Sequence, residues 1–276
     1  MNINPRIEHN QLAYLHMFEM VILQGVPLVA RGSNFVELED YQLKIQSIYP
    51  FMSFPSRKYN VEYFKKEFIW KLTGDPFNDS IKQHAKMWES VQNTDGTFNS
   101  NYGQYWFGEQ LGLHKAFNEL IIDRDTRRAT IPMLSAKHIG HGVNDTVCTG
   151  HITFKIRKSR LNMSVSMRSS DQIFGLGTDI PTFAAIHRMM LGMLSTVYRD
   201  EDGLYLGSIT ITADSSHVYD RHYQMINDIY SNREKLRCVE MPLIGTAEAF
   251  KLAACKGKVD SSWGEFSAWL LETSNG

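Results

Sequence analysis

Guanidinium groups beside hydroxyls are the first chemical feature of this 276-residue sequence. Arg127 and Arg128 are adjacent, and Arg168 is followed directly by Ser169. Planar guanidinium groups with neighbouring hydroxyl donors suit the oxygens of a dianionic phosphate. An Arg-Arg pair taken alone is more often a solvated surface feature, so these residues are candidate phosphate ligands and no more.

Cys148 is the candidate nucleophile. It opens a predicted β-hairpin whose return strand leads to Arg168, so the thiol and the guanidinium can approach each other across the polar face of the hairpin. A neighbouring cation lowers the pKa of a thiol and favours the nucleophilic thiolate. Packing is nevertheless the commoner role of a lone cysteine. Cys238 and Cys255 form no C-x-x-C pair, so each is expected to be a free thiol.

Other catalytic signatures are missing from the sequence. The ten histidines include no H-E-x-x-H, and His138 and His141 have no carboxylate or cysteine at ligand spacing. Gly175 and Gly177 lack the third glycine of a dinucleotide fingerprint, and no G-x-S-x-G is present. We therefore expect no metal, no dinucleotide cofactor and no serine hydrolase site.

Three segments that could position these groups carry apolar residues at helical spacing. They span residues 7–23, 61–72 and 182–198. A glycine follows each of the first two and is a typical stop signal. The stripes expected to face the core are, in order, Leu12, Leu15, Phe18 and Ile22; Val61, Phe64, Phe68 and Leu72; and Phe183, Ile186, Met190 and Leu194.

Alternation of apolar and polar residues predicts strands in the centre of the chain. Residues 151–157 and 161–169 flank a turn and form the hairpin, residues 208–212 form another strand, and a helix is expected from His217 onward. Long helices with central strands indicate an α/β or α+β fold. No repeat, linker or low-complexity run divides the chain, so residues 1–276 are predicted to form a single domain.

Bulk charge gives no support for nucleic acid or a membrane as partner. The chain has 29 Lys and Arg against 30 Asp and Glu, a formal net charge of -1. Binding through charge needs a large positive surplus. The first residues lack the pattern of a secretory signal, and the most apolar helical stretch, 183–194, is too short to span a bilayer. We expect a cytosolic protein that binds neither nucleic acid nor a membrane directly.

Five sequence blocks together resemble the thymidylate synthase superfamily in order and spacing. They are residues 98–106, 125–128, 146–149, 167–179 and 216–222. Within the superfamily the chain is more similar to the phage deoxycytidylate hydroxymethylases than to thymidylate synthase proper, over roughly residues 31–223. The resemblance implies a thymidylate synthase-like α/β (α+β) fold, with a central mixed sheet flanked by helices and a homodimer formed through the sheet.

The resemblance also implies a role for each matching residue. Cys148 would add to carbon 6 of a pyrimidine, and Glu67 and Tyr102 would belong to the proton-transfer network. Plain packing stays open for Trp88, and a helix-surface charge stays open for Glu67. The other implied contacts are Arg31, Arg168 and Ser169 on the 5′-phosphate, Arg127 and Arg128 on that phosphate from the partner subunit, His217 and Tyr219 on the sugar 3′-hydroxyl, Asp171 beside substrate and folate, and Trp88 and Gly175 at the folate.

Asp179 is the residue expected to choose the base. The resemblance places it where thymidylate synthases carry an asparagine that pairs with uracil. Cytosine instead presents an amino donor and a bare ring nitrogen, which a carboxylate and a shared proton complement. Asp179 therefore favours cytosine. Without the resemblance, a helix N-cap before Pro181 would be the commoner role.

The activity implied is transfer of the methylene group of 5,10-methylenetetrahydrofolate to carbon 5 of dCMP, followed by hydration to 5-hydroxymethyl-dCMP. Three alternatives stay open: a dCMP C5-methylase, a CMP 5-hydroxymethylase of nucleoside-antibiotic synthesis, and a catalytically silent nucleotide-binding homologue. Dihydrofolate production separates the first, competition between CMP and dCMP separates the second, and absence of turnover separates the third. If the chain is phage-encoded, the expected location is the host cytosol.

Overall fold

Helices and strands alternate along the parts of the chain that the computed structural model describes, residues 5–30, 32–57, 60–198 and 203–272. Within these ranges, no helix is long and apolar enough to cross a membrane. The helices are α1 (Pro5–Gln24), α2 (Val61–Leu72), α3 (Met87–Val91), α4 (Gly103–Trp106), α5 (Gly112–Ile122), α6 (Gly175–Leu194), α7 (Tyr223–Ser231), α8 (Thr246–Ala254) and α9 (Glu265–Leu271). The strands are β1 (Val26–Ala30), β2 (Ser33–Gln46), β3 (Phe51–Ser53), β4 (Thr130–Pro132), β5 (Thr149–Arg157), β6 (Arg160–Met167), β7 (Ser170–Asp171), β8 (Tyr205–Tyr219) and β9 (Arg237–Val239).

A seven-stranded mixed sheet forms the centre of the described structure. Its strands lie in the order β1, β2, β8, β6, β5 and β4, and β7 pairs along β8. Strand β8 runs parallel to β6 and β7, whereas the other neighbours are antiparallel. Strands β3 and β9 pair separately. The expected mixed sheet with flanking helices is confirmed, as is the predicted hairpin of β5 and β6.

The two faces of this sheet differ in polarity. On one face, apolar side chains of β6 and β8, such as Met163, Val165 and Ile211, are buried beneath α6. On the other face, polar residues of the same strands, such as Ser164 and Thr212, are half-buried. The period of two along each strand therefore separates a core face from a polar face.

Helix α6 begins at Gly175, well before the predicted start at residue 182, and it ends at Leu194. Proline has no N–H to donate to the carbonyl four residues earlier, so Pro181 inside the helix leaves one hydrogen bond unmade. Burial of Leu176 and Ile180 stabilises the extra turns despite that missing hydrogen bond. Asp179 is consequently an interior helix residue, and the N-cap role is excluded.

Strand β8 extends from Tyr205 to Tyr219, far beyond the predicted residues 208–212. Strand β2 pairs with it antiparallel up to Tyr219, and β6 lies parallel on its other side up to Ala213. These neighbours satisfy the backbone of a polar stretch whose residue types are weak strand formers. The expected helix at His217 is therefore wrong, since this residue lies in the strand and α7 starts at Tyr223.

Helix α1 has the predicted span, but only part of the predicted stripe faces the core: Phe18 is buried and Leu15 is half-buried. Leu12 and Ile22 are 60% and 55% exposed, whereas Tyr14, Met17 and Val21 are buried. Apolar residues occur on several sides of this helix, so periodicity alone could not select the face that packs against β2.

Candidate active site

Cys148 and Arg168 lie side by side at the open end of the β5–β6 hairpin. Nη2 of Arg168 donates to the Cys148 sulfur at 3.6 Å, and the Arg168 backbone N–H donates to the Cys148 carbonyl at 2.9 Å. The same guanidinium donates to the carbonyls of Val147 at 3.0 Å and Thr146 at 2.6 Å. Arg168 thus holds the backbone that presents the thiol and places a positive charge beside the sulfur, the surroundings typical of nucleophilic cysteines.

Asp145 anchors the loop that leads to Cys148. Its carboxylate accepts hydrogen bonds from the backbone N–H of Ser100 at 2.7 Å and from the Ser100 hydroxyl at 2.5 Å. Nδ2 of Asn99 donates to the Asp145 carbonyl at 2.7 Å. Burial raises the pKa of Asp145, and the hydrogen bonds from Ser100 act in the opposite direction. These contacts join residues 98–106 to residues 146–149.

Tyr102, directly before α4, is the predicted member of the proton-transfer network that follows the Asp145 contacts in the chain. Its side chain is buried, and its ring centroid is 5.9 Å from that of Trp106. Burial raises the pKa of Tyr102 well above its ordinary value, and the negative charges of Asp179 and Cys148 raise it further. Both groups are therefore close enough to act on the phenol oxygen, and the three predicted side chains share one site.

Asp179 lies in the second turn of α6 and is half-buried. Burial is the largest cause that raises its pKa to about 7; the positive charge of Lys71 opposes the rise, and the carboxylates of Glu67 and Asp171 add to it. A carboxyl group with this pKa exchanges its proton near neutral pH. It is therefore suited to share a proton with a bound ring nitrogen.

Glu67 reaches the site from α2 as one half of a buried ion pair. Its Oε1 lies 2.6 Å from Nζ of Lys71, one helical turn later, and the two residues are 5% and 2% exposed. Nζ of Lys71 also donates to Oγ1 of Thr182 at 3.3 Å and lies 5.2 Å from the Tyr102 ring centroid. The surface role considered for Glu67 is excluded. Lys71 was not predicted, although its i, i+4 spacing from Glu67 is a signal for an ion pair.

Trp88 lies in a small apolar cluster beside Glu67. Its ring centroid is 5.0 Å from that of Trp70 and 5.9 Å from that of Phe98. The indole N–H donates to the Tyr63 hydroxyl at 2.9 Å. Burial raises the pKa of Tyr63, and the nearby Glu67 carboxylate raises it further. Trp88 is thus packed within the protein, and its contact with folate stays a prediction.

Asp171, His217 and Tyr219 come together where β7 pairs with β8. Asp171 is opposite His217 in the parallel register, and the ring centroids of His217 and Tyr219 are 5.1 Å apart. Nδ1 of His217 lies 3.4 Å from the Ser215 hydroxyl, which donates to the Glu37 carboxylate. Burial lowers the pKa of His217, and Asp171 acts in the opposite direction. Ser215 and Glu37 were not predicted, since no spacing in the sequence reveals a contact between β2 and β8.

Gly175 and Asp171 lie next to an exposed aromatic ring. A Cβ atom at Gly175 would approach the Cβ of Asp171 to 3.3 Å, so the glycine allows close approach of the two segments. Phe174 is 45% exposed, and the guanidinium of Arg57 lies 4.6 Å from its ring centroid. Nε of Arg57 donates to the Ile173 carbonyl at 3.2 Å. Arg57 was not among the predicted residues, and no motif in the sequence singled it out.

Within a single protomer, the predicted phosphate ligands that the structure describes do not form one cluster. Ser169 follows Arg168 at the end of β6 and is half-buried. Arg127 and Arg128 are exposed in the loop before β4, and Arg128 donates to the carboxylate of Glu119 at 2.8 Å. The predicted phosphate contact of Arg31 falls outside the described residues. Exposure leaves Arg127 and Arg128 accessible to a second copy of the chain.

Neither a metal centre nor a second reactive thiol accompanies this site in the described ranges. No group of three or more His, Cys, Asp or Glu side chains in those ranges is arranged to hold a metal ion. Burial raises the pKa of Cys238 to about 12 and also raises the pKa of Cys255. These two thiols are poorly ionised at neutral pH, whereas Cys148 has a guanidinium beside its sulfur.

Comparison with known proteins points to one family. The family model described as thymidylate synthase matches residues 12–256. Deoxycytidylate 5-hydroxymethyltransferase of Enterobacteria phage T2 is 28% identical over 183 residues, which are 63% of this chain and 74% of the relative. The protein of the same name from Enterobacteria phage T4 gives the same identity and coverage. The resemblance inferred from five sequence blocks is confirmed, and the family match extends beyond residue 223, where the resemblance was expected to end.

Proposed function

Because the chain belongs to the thymidylate synthase family and is a folate-dependent one-carbon transferase of a pyrimidine nucleotide, we propose that its substrate is dCMP and its product 5-hydroxymethyl-dCMP. The observation that carries this proposal is the carboxyl group of Asp179 on α6, whose pKa burial raises to about 7 and on which the charges of Lys71 and Glu67 act. The names of the phage relatives, deoxycytidylate 5-hydroxymethyltransferases, support the same substrate.

Asp179 reads the base through the number of protons it carries. An ionised carboxylate accepts hydrogen bonds and donates none, so it matches the amino group of cytosine and leaves the uracil carbonyl at position 4 without a donor. One proton shared between Asp179 and ring nitrogen 3 completes the second hydrogen bond. A buried polar group left unpaired costs about 1–3 kcal/mol, which disfavours dUMP.

Cys148 acts as the nucleophile in this proposal. Its thiolate adds to carbon 6 of the pyrimidine and makes carbon 5 nucleophilic, so a difficult substitution becomes two easier steps. Arg168, whose N–H lies 3.6 Å from the sulfur, stabilises the thiolate before addition and after release. Its hydrogen bonds to the carbonyls of Val147 and Thr146 keep the sulfur in place during both steps.

The proton on carbon 5 leaves through the group formed by Tyr102 and Glu67. Both side chains are buried, so a proton relay through them is shielded from bulk water. When bound, 5,10-methylenetetrahydrofolate supplies the one-carbon unit that carbon 5 takes up. The residues proposed to hold this folate are Trp88, Asp171 and Gly175. The exposed Phe174 ring beside Arg57 offers apolar and cationic contacts that fit an aromatic, acidic folate.

The direct test is incubation of the purified protein with dCMP, formaldehyde and tetrahydrofolate, followed by mass spectrometry of the nucleotide. We expect dCMP to gain one hydroxymethyl group. A methyl product formed together with dihydrofolate would identify a dCMP methylase. Turnover of dUMP alone would refute the reading of Asp179, preference for CMP would indicate a ribonucleotide enzyme, and absence of any turnover would indicate a silent homologue.

We further propose that the enzyme is a homodimer formed through the polar face of the sheet, with Arg127 and Arg128 donated to the partner's phosphate site. Both arginines are exposed within one protomer, and the polar face of β6 and β8 is not covered by α6. Mixing C148S subunits with R127A/R128A subunits should restore about a quarter of the sites, because each mixed dimer assembles one intact site. If the mixture exchanges subunits but recovers no activity, the composite site is contradicted.

A single domain spanning residues 1–276 and a location in the cytosol stay predictions.

A further inference from the structure

Lys71 is a buried cation of α2 that has no part in the roles proposed for Cys148, Asp179 and Tyr102. It is 2% exposed, and its Nζ contacts Oε1 of Glu67 at 2.6 Å and Oγ1 of Thr182 at 3.3 Å. Thr182 follows Asp179 by three positions on α6, so the two side chains lie on the same face of that helix. Lys71 therefore contacts the face of α6 that also carries Asp179.

The same helix carries a second buried lysine with a different surrounding. Lys65 is 4% exposed, and its Nζ donates to the Glu272 carbonyl at 2.8 Å. It lies 3.3 Å from the carboxylate of Glu62 and 4.9 Å from the ring centroid of Trp269. Lys65 thus contacts the end of α9, and none of these contacts is with a residue of the candidate site. Lys65 is therefore the control for Lys71, because both are buried lysines of α2 and only Lys71 contacts residues of the candidate site.

Stability alone does not account for an ammonium at position 71. Both members of the Glu67–Lys71 pair lose their hydration, and replacing such a pair by apolar residues is often neutral or stabilising. Lys71 also lies 5.2 Å from the ring centroid of Tyr102, so it touches two groups of the proposed proton-transfer network. Its position points to a role in the reaction.

We propose that Lys71 is a positioning residue for the second half of the reaction, in which water adds to the new carbon: it fixes the Glu67 carboxylate and keeps that side of the pocket polar enough to hold the water. This inference rests on the proposed function. Loss of the carbon 5 proton supplies the electron pair of an exocyclic double bond as the bond from the one-carbon unit to the folate nitrogen breaks and tetrahydrofolate leaves. The oxygen of water then forms a bond to the exocyclic carbon while its proton passes to Glu67. The electron pair of the exocyclic double bond moves to carbon 5, restores the double bond between carbons 5 and 6, and expels the Cys148 thiolate.

The charges around Asp179 give this assignment a second consequence. Burial raises the pKa of Asp179, the positive charge of Lys71 opposes the rise, and the carboxylates of Glu67 and Asp171 add to it. Removing the ammonium leaves only influences that favour the protonated acid. Binding of dCMP needs one proton shared with Asp179. The pH at which half of the dCMP binding is lost should therefore rise when Lys71 is replaced by a neutral residue.

The test compares K71M, K71R and the matched control K65M. Three readouts are measured for each: dCMP binding as a function of pH, covalent complex formation with 5-fluoro-dCMP and methylenetetrahydrofolate, and formation of 5-hydroxymethyl-dCMP. The fluorinated nucleotide cannot lose its substituent at carbon 5, so its complex reports only the first half of the reaction. Hydroxymethyl formation by the unmodified protein is measured first, and its absence would reject the proposed function rather than the role of Lys71.

We expect the rate of covalent complex formation by K71M to lie within about threefold of that of the unmodified protein. Its rate of hydroxymethyl formation should fall at least about tenfold, a change typical of a displaced general base. Its pH midpoint for dCMP binding should rise. K71R, which keeps the charge, should lose less activity and keep the midpoint, and K65M should match the unmodified protein in all three readouts.

Hydroxymethyl formation by K71M within threefold of the unmodified rate would overturn the proposal. Equal losses in covalent complex and product would also overturn it, since a merely structural lysine affects both halves alike. If thermal unfolding shows that K71M does not fold, K71R decides: its displaced guanidinium should slow product formation more than complex formation, and unchanged product formation would reject the role.

Discussion

The region around Cys148 and the region around Asp179 are held in different ways. Arg168 fixes the first region by donating to the carbonyls of Val147 and Thr146 and to the sulfur itself. In the second region, the side chains of Asp179, Glu67 and Lys71 act on one another mainly through charge. Backbone hydrogen bonds fix geometry and change little with pH, whereas a balance of buried charges shifts with every proton.

This difference predicts separate consequences for the two regions. Changes near Cys148 should alter the rate of covalent chemistry and leave the choice of base unchanged. Changes near Asp179 should alter the choice of base, the pH dependence and the stability, because these properties depend on the charge balance.

The largest effect is expected for C148S, which removes the nucleophile. Release of tritium from carbon 5 of labelled dCMP should fall at least about a thousandfold, because loss of a nucleophile removes the whole covalent route. Binding of dCMP should change by no more than about threefold, since the base and phosphate contacts remain. C238S and C255S, which replace thiols outside the site, should exchange tritium normally. Persistent exchange in C148S would show that another group is the nucleophile.

D179N should affect the reaction rate less than C148S does, but it should change the preference between dCMP and dUMP. The amide can donate to the uracil carbonyl, so the ratio of kcat/KM for dCMP to that for dUMP should fall by about 10- to 100-fold, equivalent to one unpaired polar group. D214N, at an exposed position of β8, is the control and should keep the original ratio. Unchanged selectivity in D179N would mean that the base is read elsewhere.

The smallest effect concerns stability. The unfolded chain releases the Asp179 proton near pH 4, whereas in the folded protein burial raises the pKa to about 7. The folded state therefore binds more protons across this window, and its free energy of unfolding falls as the pH rises from 4 to 7. D179N lacks this titration, so its stability relative to the unmodified protein should increase by about 1–3 kcal/mol from pH 4 to pH 8. Denaturant unfolding at several pH values measures it, and a constant difference would contradict the raised pKa.

Local patterns were reliable where neighbouring residues in the sequence also contact each other in the structure. Helix α2 spans the predicted residues, with Phe64 and Phe68 fully buried. The hairpin of β5 and β6 pairs as expected, and it brings Arg168 to Cys148. Both elements are defined by periodicity and a short turn, which a single sequence contains.

Predictions failed where a distant partner outweighed the local signal. The early start of α6 depends on burial of Leu176 and Ile180, and the length of β8 depends on pairing with β2 and β6. The apolar spacing of residues 182–198 begins after the observed start of α6, and the alternation of residues 208–212 stops short of both observed ends of β8. Tertiary packing supplied the stabilisation that the local sequence lacks.

The sequence by itself determined the family, the reactive groups and the hairpin that joins Cys148 to Arg168. Only the tertiary structure decided that Lys71 of α2 contacts Thr182 of α6, 111 positions away, and that Glu67 is buried beside it. The physical reason is that the pKa of Asp179 depends on burial and on charges brought in by another helix. Residue identity sets which groups can titrate, but the packing of α2 against α6 sets the pH at which they do so.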